Sequence, residues 1–271
     1  MQKINVIKVG GAVVEDSASL ACLIQQFATL PGYKILVHGG GRSATRIAAQ
    51  LGIKSHMVGG RRITDEDMLQ VVTMVYGGLV NKRIVAALQA QGVNAIGLTG
   101  ADMDIIRSHR RAPKMVTMDD GTQTIVDFGF VGDVDYANGH RLAKLIIPQD
   151  NTDAVVPVVA PLTHDGQGNI LNTNADTMAA TVAKALTPHF EVTLTYCFEK
   201  PGVLTDPNND NSVISTINTQ SYAQLKTDGI VSGGMIPKLD NAFDSIASGV
   251  RRVVITHYAD IQANHGTTIE Q

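Results

Sequence analysis

The chain has 271 residues, 44% of them hydrophobic, and a formal net charge of −3. That length accommodates one large α/β domain or two smaller lobes, and the acidic balance excludes a general nucleic-acid binder, whose affinity rests on a basic surface. No apolar run approaches the roughly 18 residues of a membrane span, and the N-terminus enters a strand pattern with no signal-peptide core, so a cytoplasmic protein is expected. The two cysteines, Cys22 and Cys197, sit in apolar segments and read as buried free thiols. The eight histidines lack ligand-like spacing, so no structural zinc site is expected.

The first element is Ile4-Asn5-Val6-Ile7-Lys8-Val9-Gly10-Gly11, a strand that ends in a glycine turn. Lys8 inside this apolar run either snorkels to water past the turn or meets an anion, to which Gly10 and Gly11 allow close backbone approach. Asp16 or Ser17 caps a helix through Leu20, Leu23, Ile24 and Phe27, and Pro31-Gly32 ends it. Lys34-Ile35-Leu36-Val37 is the second strand, followed at once by His38-Gly39-Gly40-Gly41 and a helix that starts near Ser43 and stops at Gly52. Strand, glycine loop, helix is the layout that points backbone N–H groups at an anion. Two such units in succession suggest a parallel sheet with helical crossovers.

A long helix is expected over 65–91, with acidic residues in its first turn and a kink or close contact at Gly77-Gly78. Ala95-Ile96-Gly97-Leu98 is a strand. From 105 to 134, short β-type runs alternate with turns such as Asp119-Asp120-Gly121, which reads as an antiparallel insertion. Its basic cluster, Arg107, Arg110, Arg111 and Lys114, reads as a solvated face. A short helix ends over 143–147, a strand follows over 155–159, and His164 to Asn169 is a turn. Asn172-Thr173-Asn174-Ala175-Asp176 opens a helix to about Leu186, and 192–197 is a strand. Pro201-Gly202-Val203-Leu204 begins an expected hairpin through Asn208-Asn209-Asp210, and Thr219 caps a helix ending near Gly229. Gly233-Gly234-Met235-Ile236-Pro237-Lys238 opens another, and Val253-Val254-Ile255-Thr256 and Thr267-Thr268-Ile269 close the chain as strands.

Several glycine loops, two lysines near glycine turns and one aspartate at a helix start form a set suited to phosphoryl transfer. There the protein mainly positions groups and stabilises spread negative charge. The P-loop pattern is absent, as are the protein-kinase signatures. Gly39, Gly41 and Ala44 match a loose dinucleotide fingerprint, but Gly59-Gly60-Arg61-Arg62 stands where an acidic ribose partner belongs.

In order, Lys8-Val9-Gly10-Gly11, His38-Gly39-Gly40-Gly41, Arg62-Ile63-Thr64, Asn81-Lys82, Gly97-Leu98-Thr99-Gly100, Gly129-Phe130-Val131-Gly132, Asn172 to Asp176 and Gly233 to Lys238 resemble the N-acetylglutamate kinases of the amino acid kinase family. The resemblance covers nearly the whole chain. It implies an open α/β/α sandwich with a mostly parallel central sheet and two lobes. Residues 1–165 would bind the acylglutamate and form a homodimer, and 166–271 would bind ATP, with the boundary near 161–168. It also implies that Lys8 and Lys238 contact the migrating phosphoryl group and that Asp176 holds both lysines. Gly10, Gly11, Gly40 and Gly41 would donate N–H bonds to the phosphates. Arg62 would take the substrate α-carboxylate, and Asn172 would lie near the acylamino group. Mg2+ would ride on the ATP phosphates, with no protein ligand named.

Taken singly, Arg62 could pair with an acid, Asp176 could serve the helix dipole and Asn172 could be a turn residue. The chain also departs from the family pattern. Phe198-Glu199-Lys200-Pro201 replaces a Ser/Thr-Asp pair, and Arg61 replaces an apolar residue. The chain begins directly at its first strand, from which weak or absent feedback inhibition by arginine is expected. The expected reaction is phosphorylation of the γ-carboxylate of N-acetyl-L-glutamate, or of another N-acylglutamate such as the succinyl compound. A related glutamate 5-kinase, aspartokinase or uridylate kinase, or a non-catalytic sensor on the same fold, is the alternative.

Overall fold

The computed structural model describes residues 1–117, 121–148, 154–262 and 265–270. The first half runs β1 (Gln2–Val9), α1 (Gly11–Glu15), α2 (Ser17–Thr29), β2 (Tyr33–His38), α3 (Gly41–Gln50), β3 (Met57–Val58), β4 (Arg61–Arg62), α4 (Glu66–Val72), a π-helical stretch (Thr73–Val80), α5 (Asn81–Gln89) and β5 (Ala95–Leu98). Then come β6 (Ile106–Arg110), β7 (Lys114–Thr117), β8 (Gln123–Val126), β9 (Gly132–Ala137), α6 (Gly139–Ile146), β10 (Val156–Val159), β11 (Leu162–His164) and β12 (Ile170–Asn172). The last part is α7 (Ala175–Leu186), β13 (Phe190–Phe198), β14 (Thr216–Ile217), α8 (Thr219–Thr227), α9 (Met235–Ala247), β15 (Arg252–His257) and β16 (Thr267–Ile269).

One eight-stranded sheet, ordered β14-β16-β15-β13-β1-β2-β10-β5, runs through the molecule. All its pairings are parallel except β15 with β16. β1 lies in the middle, so its two faces are both covered and its apolar run, interrupted only by Asn5 and Lys8, serves both. Alternation along the strand divides that run between two cores. Ile4 and Val6 join Ile35 and Val37 of β2 in a core completed by α6, α7 and α9. Ile7 and Val9 join Leu36 in a second core under α2, α4 and α5. The result is the expected α/β/α sandwich. Within the insertion β6 pairs antiparallel with β9 and β7 with β8, and β11 and β12 from later in the chain extend the first pair, β11 parallel to β6, into the four-stranded sheet β12-β11-β6-β9. The turn expected at Asp119 and Asp120 lies outside the described residues.

Local chemistry explains where elements differ from expectation. At Gly77-Gly78 the long helix widens into a π-helical stretch rather than kinking, beside β11, where a Cβ on Gly77 would make an ordinary contact with Leu162 at 3.5 Å. The stretch from Glu66 to Gln89 is helical throughout and apolar enough, by length and composition, to cross a membrane. A buried core helix passes the same test, and Met68, Val71, Val72, Ile84 and Leu88 of this helix belong to the second core. The hairpin expected after Pro201 is reduced to one bridge, Leu204 to Val213. Asp206 and Asn209 side chains accept bonds from nearby backbone N–H groups there and compete with a ladder. Asn218, not Thr219, caps α8: its side chain accepts from Ser221 N, and Ser221 Oγ accepts from Asn218 N. Cys197 is buried, whereas Cys22 is only half-buried.

Candidate active site

The site forms at the carboxyl ends of β1, β2 and β13, where open α/β sheets bind ligands. Lys8 is two residues on from Val6, so alternation points it to the face covered by α7 and α9. Asn174 caps α7 by accepting from the N–H groups of Asp176 and Thr177, which sets Asp176 in the first turn. Gly233, with φ +53°, and Gly234 form the turn that starts α9 and places Lys238 in its first turn. The Lys8 ammonium lies 2.6 Å from Asp176 Oδ1, as a close ion pair without hydrogen-bond alignment. Lys238 Nζ donates to Oδ2 at 3.1 Å. One carboxylate, 14% exposed, therefore holds two ammonium groups that are 230 positions apart in the chain. Burial alone would raise the Asp176 pKa, but the charges of Lys8 and Lys238 outweigh it and hold the carboxyl below its usual range.

The two glycine turns touch backbone to backbone. Gly39 N donates to Val9 O at 3.0 Å and Gly10 N to Cys197 O at 3.2 Å. A Cβ on Gly39 would approach Gly11 N to 3.2 Å, and one on Gly40 would meet Tyr76 at 2.8 Å. A side chain at either position forces its neighbour to shift. His38, fully buried, fixes the second turn. Its Nδ1 faces Gly39 O at 2.7 Å, and a carbonyl only accepts, so Nδ1 carries the proton. Nε2 then accepts from Asn81 Nδ2 at 3.2 Å, and Asn81 also donates to Val158 O. Burial keeps the ring neutral by pulling its pKa down to about 4.

A cleft of about 190 Å³ adjoins the second turn, with Gly40, Gly41, Arg62, Tyr76, Arg111 and Asn172 in its wall. Arg62, 8% exposed, donates to Gly41 O and Thr45 Oγ1, each at 2.8 Å, and to Ser55 Oγ. All these partners are neutral, and among the described residues no carboxylate pairs with it. A buried, unneutralised guanidinium is costly until an anion enters. Asn172 Nδ2 donates to Thr64 Oγ1 at 2.9 Å. Gly40, Gly41, Arg62 and Asn172 thus share this cleft. Lys8, Gly10, Gly11, Asp176 and Lys238 lie outside its wall and adjoin it at two points: Ala175 lines the cleft one residue before Asp176, and Gly11 packs on Gly40 and Gly41.

Three residues of the site escaped the sequence reading. His38 belongs to the run His38-Gly39-Gly40-Gly41 but receives no role of its own there, and Tyr76 carries no sequence signal beyond lying near glycines. Arg111 was read with a solvated cluster, and Arg107 and Arg110 are indeed half exposed, but the Arg111 side chain is only 12% exposed. It turns inward, pairs with Asp133 and packs on Phe128. Its place between a strand end and Pro113 was the available hint.

The model of the amino acid kinase family matches residues 3–257. The chain belongs to the amino acid kinase family. It is 58% identical to the acetylglutamate kinase of Bacteroides thetaiotaomicron over 270 residues, which is 100% of this chain and 99% of that one. It is 57% identical to the acetylglutamate kinase of Bacteroides fragilis, again over 270 residues, with 100% and 98% coverage. Among solved structures, the smu.665 protein of Streptococcus mutans superposes with a TM-score of 0.77 at 25% identity, covering 98% of each chain.

Proposed function

We propose that this family member transfers the γ-phosphoryl group of ATP to the γ-carboxylate of an N-acyl-L-glutamate, with N-acetyl-L-glutamate the reference substrate, giving the acyl phosphate used in arginine biosynthesis. The observation that carries this reading is the clamp of Asp176 on Lys8 and Lys238 beside two glycine turns. Relatives named acetylglutamate kinase that align over the full chain support it.

A carboxylate oxygen of the substrate attacks phosphorus, the bond from phosphorus to the bridging oxygen breaks, and ADP leaves with that electron pair. The acceptor is already ionised, so no general base is required. The task is alignment and charge stabilisation. Lys8 and Lys238 supply two cations to the equatorial oxygens, and Asp176 prevents them from splaying apart. N–H groups of Gly10, Gly11, Gly40 and Gly41 serve the phosphates. Arg62 takes the α-carboxylate, which satisfies its unneutralised charge, and Asn172 sits by the acylamino group. Mg2+ would arrive on the ATP phosphates. The cationic lysines suit those phosphates, and no grouping of three metal-binding side chains occurs among the described residues.

The proposed division of labour gives 1–165 the acylglutamate and 166–271 the nucleotide. Met74 and Leu79, 54% and 52% exposed on the long helix, support a homodimer through that first part. Free thiols at Cys22 and Cys197 suit the cytoplasm. The test is ADP release with N-acetyl-L-glutamate and MgATP, with hydroxylamine trapping of the product. ADP release that does not depend on the acylglutamate, or no hydroxamate, overturns the reading.

A further inference from the structure

The cleft does not end at Arg62. Arg61 and Arg111 also line it, and the same two arginines line an adjoining open depression with His109, Lys114 and Asp133. Asp133 is the one acid in that wall, and Arg111 already holds it, with Nε donating to Oδ2 at 3.0 Å. His109 is occupied by Asp135 at 2.6 Å. Arg61 has no carboxylate partner among the described residues. Its pKa is lowered by loss of solvent around the side chain and by the like charge of Arg111, with Asp133 pulling the other way. Arg61 and Arg111 against Asp133 leave one positive charge in excess, and Lys114 adds another. This surplus is separate from the buried charge of Arg62.

The acceptor of the proposed reaction has two carboxylates. One is aimed at phosphorus and one is matched to Arg62. What remains of the molecule to fill the outer end is its acyl group. A methyl-terminated acyl group pushed against two guanidinium groups strips water from them and returns no hydrogen bond. A carboxylate at the same place accepts charge-assisted bonds from a planar donor fork and cancels the like-charge repulsion.

We propose that Arg61 and Arg111 form a second carboxylate subsite at the outer end of the cleft, and that the preferred acceptor is an N-acylglutamate whose acyl group ends in its own carboxylate. This rests on the kinase reading above and specifies its substrate class. Arg61 is the specificity-determining residue. Arg111 is the better anchored one, fixed by Asp133 beneath it and by Phe128 at 5.4 Å.

The experiment compares kcat/KM for N-succinyl-L-glutamate and N-acetyl-L-glutamate in the full chain, in Arg61→Leu and in Arg61→Glu, with thermal melts to verify folding. Arg61 is exposed at the cleft mouth, so either variant is expected to fold. The expected result is a succinyl-to-acetyl ratio of at least roughly tenfold in the parent, the scale of one charge-assisted contact. That ratio should fall about tenfold in Arg61→Leu and further in Arg61→Glu. A parent that prefers the acetyl compound, or a ratio that the substitutions leave unmoved, overturns the subsite while leaving the kinase reading intact. No turnover of either compound overturns the kinase reading and the subsite with it.

Discussion

Replacing Asp176 with asparagine tests the centre of the site at minimal change in shape. The carboxylate lies 2.6 Å from one ammonium and 3.1 Å from the other and is 14% exposed. Asparagine keeps an acceptor but removes the charge, so two cations face each other in a poorly solvated place with nothing to hold them. Breaking a buried ion pair by removing one partner costs about 3 kcal/mol or more, which in a chain of this size lowers Tm by roughly 6–12 °C. Misplacing the lysines costs activity on the scale of losing a charge-stabilising donor, about 100-fold or more in kcat. The assays are a thermal melt and steady-state ADP release. The double variant Lys8→Met/Asp176→Asn adds a sharper criterion. If the carboxylate acts through Lys8, the two losses of stability are strongly non-additive. A kcat within threefold of the parent, or simple additivity in the double variant, refutes the clamp.

Lys8→Ala and Lys238→Ala should each lower kcat at least ~100-fold in the same ADP assay, with the folded state retained by circular dichroism. Arg62→Ala should chiefly raise KM for the acylglutamate, by about 10-fold or more as a charge-assisted contact is lost, and a rise in ATP KM alone would contradict its assignment. Gly40→Ala forces a Cβ to 2.8 Å from the Tyr76 ring, an overpacking of about 1–3 kcal/mol, and Tyr76→Val in the same chain should recover part of the lost Tm. His38 is buried neutral with a pKa pulled from 6.5 to about 4. The unfolded chain therefore binds its proton first, and as pH falls from 6.5 to 4 this residue removes up to roughly 3 kcal/mol of stability. Asp176 also has a depressed pKa, so its contribution is complete above 3.8 and is lost in the same direction, as pH falls through the lower folded value. Urea titrations of His38→Gln should show a flatter stability profile between pH 4 and 6.5. A slope equal to that of the parent would rule out the buried neutral ring.

The sheet was legible because its strands are rich in apolar and β-branched residues and its helices carry caps, as at Asp16 and Asn174. The clamp was legible only as a set. Lys8, Asp176 and Lys238 are each ordinary alone, and it took a family pattern to put them together. Period-two alternation then gives a purely physical reason for their meeting: with Val6 buried toward α7, Lys8 must face the same way. Arg111 shows what alternation does not reach. It lies past the end of β6, where backbone direction is set by the long-range bond from Arg111 N to Val131 O at 2.8 Å. No local pattern reveals which of three neighbouring arginines that bond turns inward. The same long-range bond places Arg111 in the cleft wall with Arg61. On the proposed reading, the acyl end of the substrate would fall to the part of the chain whose local sequence is least informative, and the phosphoryl end to the part whose pattern is strongest.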